Sequence, residues 1–163
     1  MNASIRAVSA NDWEPITAIF NHFVTDSFAA YPDQPVDESF FRDRHNSNPT
    51  YPFVVVEIEG VVVGFAYLSP FHSASTIRRT AILTYFLHPE QTGRGIGTEV
   101  LEHLLQAGNS LGLTNFLAHV SSLNPGSVRF HLKHGFTECG RFLDVGEKDG
   151  HLFDMVWLQK RQR

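Results

Sequence analysis

Residues 91–97 read Gln-Thr-Gly-Arg-Gly-Ile-Gly, and this junction constrains the chain more than any other segment. It follows an apolar, β-rich run from Ala81 to Leu87 and the dipeptide His88-Pro89. It opens an amphipathic stretch from Thr98 to Leu111. Glycines at 93, 95 and 97 let the backbone approach a ligand closely. A helix that starts there aims unpaired N–H groups and the positive end of its dipole at the same point. The natural occupant is a pyrophosphate. A glycine-rich turn that holds nothing is the alternative the loop alone leaves open.

Two common phosphate loops do not fit. No Gly-x-x-x-x-Gly-Lys-Ser/Thr run exists. The dinucleotide fingerprint needs Gly-x-Gly-x-x-Gly early in a βαβ unit with an acid about 20 residues on. Here the spacing is Gly93-x-Gly95-x-Gly97, past mid-chain, and the next strand, Asn115-Phe-Leu-Ala-His-Val120, does not end in an acid.

The rest of the chain supplies the frame. Ser4 to Val8 reads as a strand. Asn11 or Asp12 can cap a helix whose first turn holds Pro15, and Ile16, Ile19, Phe20, Phe23 and Val24 recur at helical spacing. Residues 25–36 read as a loop and 37–46 as a short helix. Phe53 to Glu59 and Val61 to Ser69 read as strands joined by a tight hairpin at Glu59-Gly60. After a loop from His72 to Thr76, Arg79 to Leu87 forms the strand before the glycines. Val100, Leu101, Leu104, Leu105 and Leu111 then face a sheet. Strand 115–121, a turn from Ser122 to Gly126, a helix over 126–134 ended by Gly135, and strands near 136–143 and 151–159 complete the order. The prediction is one domain, 1–163, with a mixed α/β sheet, antiparallel early and with a βαβ crossover late.

Composition narrows the function classes. A net charge of −4 leaves no electrostatic footprint for nucleic acid, and the basic end Lys160 to Arg163 reads as a solvated tail. One cysteine, Cys139, rules out an internal disulfide framework and reads as buried filler. No secretory signal is visible and no apolar stretch nears the ~20 residues a membrane helix needs, so cytoplasm is the default expectation. The fourteen phenylalanines read as packing. His131 and His134 stand i, i+3, but no His-Glu-x-x-His run occurs, and a metal site has no support.

A second motif follows the glycines: Asn124-Pro-Gly-Ser127-Val-Arg-Phe130-His131-Leu-Lys-His-Gly135-Phe136. Together with residues 92–97 it resembles the GCN5-related N-acetyltransferase (GNAT) family. Its coenzyme A loop is Gln/Arg-x-x-Gly-x-Gly/Ala, and its later motif is Asn-x-x-Ser/Ala-x-x-Leu/Phe-Tyr/His-x-x-x-Gly-Phe. The run Val145-Gly-Glu-Lys148-Asp-Gly150-His-Leu-Phe-Asp154, with Ile16-Thr-x-Ile-Phe-Asn21-His and Ser127-Val-Arg-x-His131, is similar to the phosphinothricin and methionine sulfoximine acetyltransferases. The resemblance implies a fold of about seven strands and four helices, and acetyl-CoA as the donor.

It also implies a site. Backbone N–H groups from Gly93 through Arg94, Gly95, Ile96 and Gly97 to Thr98 would hold the pyrophosphate, with Arg94 adding a side-chain contact. The pantetheine arm would pair with Tyr85, Phe86 and Leu87, an N–H there (that of Leu87) polarising the acetyl carbonyl. Asn124 would hold the arm from the other side, and Lys133 would reach the nucleotide end. Thr92 departs from the motif's Arg or Gln, with Gln91 one place early. His131 stands where the wider family has Tyr, as an acid near the departing sulfur or a member of a proton relay; an ordinary helix histidine is the alternative.

The base is where the chain departs most. Relatives place a Glu early in the strand before the glycine loop, and the matching residue is Ile82. Candidate replacements are His119, Tyr85, His72 and Glu57, histidine having an unperturbed pKa of ~6.5. The substrate pocket is expected from Asp26 to Tyr31 (Ser27 and Tyr31 above all), from His72 to Ala74 (His72 and Ser73 above all), and from Ile82, Leu83 and Thr84. The carboxylate-gripping arginine of relatives is replaced by His72, leaving Arg78 or Arg79 as substitutes. The leading expectation is acetyl transfer to the primary amine of a small amino-acid-like molecule by direct attack. A non-catalytic acyl-CoA-binding module and a protein acetyltransferase are the alternatives, and a homodimer is expected from relatives.

Overall fold

The computed structural model describes residues 2–163. Its sheet has seven strands in the order β1-β2-β3-β4-β5-β7-β6. The elements are β1 (Ser4–Ala7), α1 (Trp13–Asp26), α2 (Ser39–Ser47), β2 (Phe53–Ile58), β3 (Val61–Pro70), β4 (Thr80–Leu87), α3 (Ile96–Ser110), β5 (Asn115–Ser121), α4 (Pro125–Lys133), β6 (Thr137–Lys148) and β7 (His151–Arg161). Strands β1 to β4 are antiparallel neighbours, and α3 carries the chain from β4 to a parallel β5. Both halves of that order follow the expected pattern. The β2–β3 hairpin turns at Glu59 (φ 50°) and Gly60 (φ 79°), the two positive dihedrals a two-residue turn needs.

Each face of the sheet carries its own core. On one, α1 and α2 bury Trp13, Ile16, Phe20 and Phe41 against Phe53, Val55 and Phe65. On the other, α3 sets Val100, Leu101 and Leu104 against Val56, Leu83, Phe116 and Val156. Alternation decides the assignment: β4 sends Ala81, Leu83 and Tyr85 to the α3 face and Phe86 to the α1 face.

Asp12 is 3% exposed and does more than start a helix. It accepts two hydrogen bonds from the Arg6 guanidinium (2.8 and 2.9 Å) and one from the Ser9 amide (2.7 Å). Arg6 also reaches Glu57 on β2 at 2.9 Å, so one guanidinium joins β1, β2 and the entry to α1. The Arg6 hydrogen bonds hold the Asp12 carboxyl down at about 2.

Three expectations change. Cys139 is exposed, because β6 is the edge strand and the register slips between Glu138 and Gly140. The basic end is part of the fold: β7 runs to Arg161, and Lys160 Nζ donates to the His134 carbonyl at 2.6 Å, closing the end of α4. Strand β6 runs on to Lys148, where it was expected to stop near 143, and a second slip between Phe142 and Gly146 bows it outward. The Asp144 N–H at that bow donates to Asp154 Oδ1 at 2.8 Å.

Candidate active site

The glycine loop is built as an anion cradle. α3 begins at Ile96, two residues before the expected Thr98, with Gly95 (φ 82°) as its cap and Gly93 at φ 75°. A side chain at either position would be strained, yet a Cβ there meets nothing within 4 Å, so the space above the loop is open. The Thr98 N–H donates to the Gly95 carbonyl at 3.1 Å, which leaves Gly93 to Gly97 as the amides free to point outward. Thr98 is therefore not a main-chain donor of the cradle, a correction of one residue. These donors at a helix's positive end fit a diphosphate.

Side chains brace the cradle from outside. Thr92 uses its hydroxyl on the Pro89 carbonyl (2.8 Å), so its departure from the motif serves the loop's shape. Exposed Arg94 donates to Gln91 Oε1 at 3.2 Å, and Lys133 is exposed at the end of α4. The Thr98 hydroxyl meets His134 Nε2 at 2.9 Å, and His134 Nδ1 donates to the Phe130 carbonyl at 2.7 Å. The start of α3 is thereby tied to α4.

Beside the cradle the sheet opens. β4 and β5 pair only from Thr80↔Asn115 to Ile82↔Leu117, whereas β5 keeps β7 along its whole length. Beyond Ile82 the two strands part. The backbone of β4 bonds to the β3 side at Thr80, which accepts from Phe71, and the chain does so again at His88, which donates to Val63. Alternation therefore turns the Leu83 carbonyl and the amides of Tyr85 and Leu87 toward the gap, the Leu83 N–H still serving the pairing at Ile82↔Leu117. The gap leads into a cavity of about 510 Å³ that reaches the α1–α2 face.

On the cradle side of that cavity stand Tyr85 and His131. The Tyr85 hydroxyl is 2.5 Å from His131 Nε2, and His131 Nδ1 is 2.7 Å from the Ser127 carbonyl. A carbonyl can only accept, so Nδ1 carries the proton, Nε2 offers a lone pair, and Tyr85 donates. Burial pushes the His131 pKa down, and burial pushes that of Tyr85 far up. A neutral His131 with no proton on Nε2 is not itself an acid toward the gap. The group that carries a proton there is the Tyr85 hydroxyl.

The far wall holds His119. Its Nδ1 lies 3.2 Å from the Tyr31 hydroxyl, and the two rings stack with centroids 5.5 Å apart. Burial, helped by the Arg44 charge, lowers the His119 pKa, and burial pushes Tyr31 up to about 12. His119 and Ile82 both line the cavity. Of the other base candidates, Glu57 is committed to Arg6, His72 is exposed with Nδ1 accepting from the Ala74 amide (3.0 Å), and Tyr85 is committed to His131.

Not every expected residue is brought together. Tyr31, Ile82, Leu83, Thr84, Tyr85, Phe86, Asn124 and His131 line the cavity. Ser27 does not: its hydroxyl donates to the Phe23 carbonyl (2.9 Å) and accepts from the Ala29 amide. His72, Ser73 and Arg78 are exposed on the β3–β4 connection, outside the lining, with Arg78 on the Ser75 carbonyl at 3.1 Å. Arg79 is exposed on the same connection. Several lining residues were not expected from the sequence, among them Ser127 and Arg44. Ser127 was visible as part of the second motif. Arg44, in a stretch expected only to form a short helix, carried no local signal.

A strand pair parted above a helix-capped anion cradle, with a hydroxyl donor on one wall and a neutral imidazole on the other, defines an acyl-group transferase that takes its donor from a phosphate-tailed carrier. Residues 16–136 match the model of the Acetyltransferase (GNAT) family, and the chain belongs to that family as an N-acetyltransferase. It is 31% identical over 160 residues to the L-methionine sulfoximine/L-methionine sulfone acetyltransferase of Salmonella typhimurium, covering 96% of this chain and 92% of that one. The same identity and coverage relate it to an L-amino acid N-acyltransferase of Escherichia coli. A phosphinothricin acetyltransferase from Sinorhizobium meliloti, solved with acetyl-CoA, superposes with a TM-score of 0.92 at 30% identity, over 99% of this chain and 89% of that one.

Proposed function

We propose that the chain moves acetyl from acetyl-CoA to the primary amine of a small amino-acid-like substrate by direct attack in a ternary complex. The observation that carries the reading is the parted β4–β5 pair, whose free amides run from the cavity to the glycine cradle. When bound, the donor supplies an activated thioester.

The chain's residues do the rest. Gly93 to Gly97 receive the pyrophosphate on backbone N–H groups, with Arg94 at its rim. Leu83, Tyr85 and Leu87 offer main-chain groups to the pantetheine arm, with Phe86 between them in the strand and Asn124 opposite. The N–H of Leu87 polarises the carbonyl oxygen. His119, neutral and oriented by Tyr31, takes the proton released by the attacking amine. Tyr85 swings its O–H from His131 toward the sulfur as the C–S bond breaks, and burial keeps that hydroxyl protonated until then. Ile82 and Thr84 shape the wall beside the amine.

The test is release of free thiol from acetyl-CoA with a panel of amino acids and simple amines. Turnover of amino-acid-like amines is expected; coenzyme A binding with no turnover on any amine overturns the reading. A homodimer belongs to the same proposal, supported by Phe142, Leu143, Val145 and Leu152, which stand exposed on the β6–β7 edge. Light scattering of the eluted protein should give twice the chain mass, and Leu143→Asp should halve it. A cytoplasmic location goes with a donor that is made and spent inside the cell, and cell fractionation tests it.

A further inference from the structure

Arg44 is the one charged side chain among the described residues that line the cavity, leaving the two histidines aside. It sits on α2, one turn after Phe40, and its guanidinium lies 4.4 Å from the centre of the Phe40 ring. An arginine over an aromatic ring can stack its planar face there and keep its N–H edges for other partners. Arg42 and Arg141 have carboxylate partners; among the described residues Arg44 has no carboxylate within 4 Å and donates to no protein acceptor. The other polar side chains on these walls are uncharged: hydroxyls, among them Tyr31, Tyr67, Ser69 and Thr84, and the Asn124 amide. An arginine set over a ring in the wall of an otherwise neutral cavity is suited to pairing with an anion that enters.

Building on the acetyl-transfer reading, the geometry points to Arg44 as the residue that grips the substrate's carboxylate, so that the enzyme selects amines bearing a carboxylate over the same amines without one. The role expected for Arg78 or Arg79 falls to a helix on the opposite side of the sequence. The spacing inside the cavity agrees. Arg44 and His119 line the same cavity, so a carboxylate on Arg44 would hold the neighbouring amine within that space beside the imidazole. Arginine's fork suits a carboxylate in two parallel hydrogen bonds, which fixes orientation as well as affinity.

The experiment pairs each amino acid with its decarboxylated amine: leucine with isopentylamine, and phenylalanine with phenethylamine. Wild-type protein, Arg44→Met and Arg44→Lys are compared by steady-state kinetics with acetyl-CoA. Losing a charge-assisted pair should lower kcat/KM for the amino acids by about 30-fold, mostly through KM. Values for the decarboxylated amines should stay within about twofold, and Arg44→Lys should recover part of the loss. A merely structural Arg44 would lower both members of each pair alike, and that result overturns the proposal, as does no change in either. Wild-type turnover confined to decarboxylated amines overturns it while sparing the acetyl-transfer reading. Should wild-type protein bind acetyl-CoA and turn over nothing, the acetyl-transfer reading falls, and calorimetric binding of leucine to wild-type and Arg44→Met protein decides Arg44 separately. Equal binding to the two overturns the assignment; tighter binding to wild type upholds it.

Discussion

The Tyr85 hydroxyl donates to Nε2 of His131 across 2.5 Å, joining a sheet strand to a helix 46 positions later in the chain. The histidine's other nitrogen is held on the Ser127 carbonyl, so its ring cannot turn to offer a proton instead. Tyr85→Phe should therefore lower kcat by about 100-fold, the usual scale for one proton-handling group. Coenzyme A affinity should stay within about twofold. His131→Asn should cost less, and the double variant should be no worse than Tyr85→Phe. Steady-state kinetics on the three variants checks this.

His119 gives a pH prediction. Its pKa is lowered by burial and by Arg44, so the neutral, proton-accepting form persists below the ordinary ~6.5. The rising limb of kcat/KM should therefore lie on the acid side of ~6.5, and His119→Ala should remove it. Stability follows the same sign. His119 and His131 both have depressed folded-state values, so the unfolded chain binds more protons in that window. Stability should be full above ~6.5 and fall as pH drops through the folded values, which a melting series from neutral to mildly acid buffer measures.

At Gly95 the structure separates a binding defect from a folding defect. A Cβ meets nothing within 4 Å, so Gly95→Ala should cost only the left-handed strain, about 1–2 kcal/mol. Gly95→Asp adds a negative charge where a diphosphate would lie and should weaken coenzyme A binding by more than about tenfold. Calorimetry beside a melting curve distinguishes the two, and unchanged binding by Gly95→Asp would remove the cradle from the site.

Lys148 is buried and donates to the Ala30 carbonyl at 2.8 Å, one residue before Tyr31. Burial lowers its pKa. Lys148→Met trades that hydrogen bond for relief of a buried charge, so stability should shift by less than about 2 kcal/mol. The loop carrying Tyr31 should loosen. Faster amide exchange over residues 29–32 and a raised KM for the amine are the expected readings.

Asp12 governs acid stability. Its carboxyl is held at about 2 against an ordinary 3.8, chiefly by Arg6. A depressed carboxylate contributes stability above its unfolded value and loses it as pH falls through the folded one, here between about 4 and 2. Asp12→Asn should cost about 2 kcal/mol at neutral pH by chemical denaturation and flatten that acid limb.

Much of this was legible in the chain. The loop at Gly93 to Gly97, the helix after it and the hairpin at Glu59-Gly60 are local features, in which glycine conformations and apolar spacing act within a few residues. His131 was legible because its partners, Ser127 and Phe136, belong to the same short motif. Arg44 was not. It acts only because α2 folds over the sheet face that also carries His119, and no spacing within 39–47 announces that neighbour. Cys139 misled for a related reason: an apolar side chain in a strand is buried only if a layer covers that strand, and β6 ends up at the edge.

By itself the sequence determined the order of elements, the anion cradle and the chemistry of its ligand, because backbone conformation and helix starts are set by residues adjacent in the chain. Only the tertiary structure decided how far β4 and β5 part, that Tyr85 rather than His131 presents the proton, that His119 shares the cavity with Ile82, and that Arg44 rather than Arg78 lines it. Those relations depend on which side chains from distant segments share one buried space, where desolvation and a fixed tautomer assign the roles.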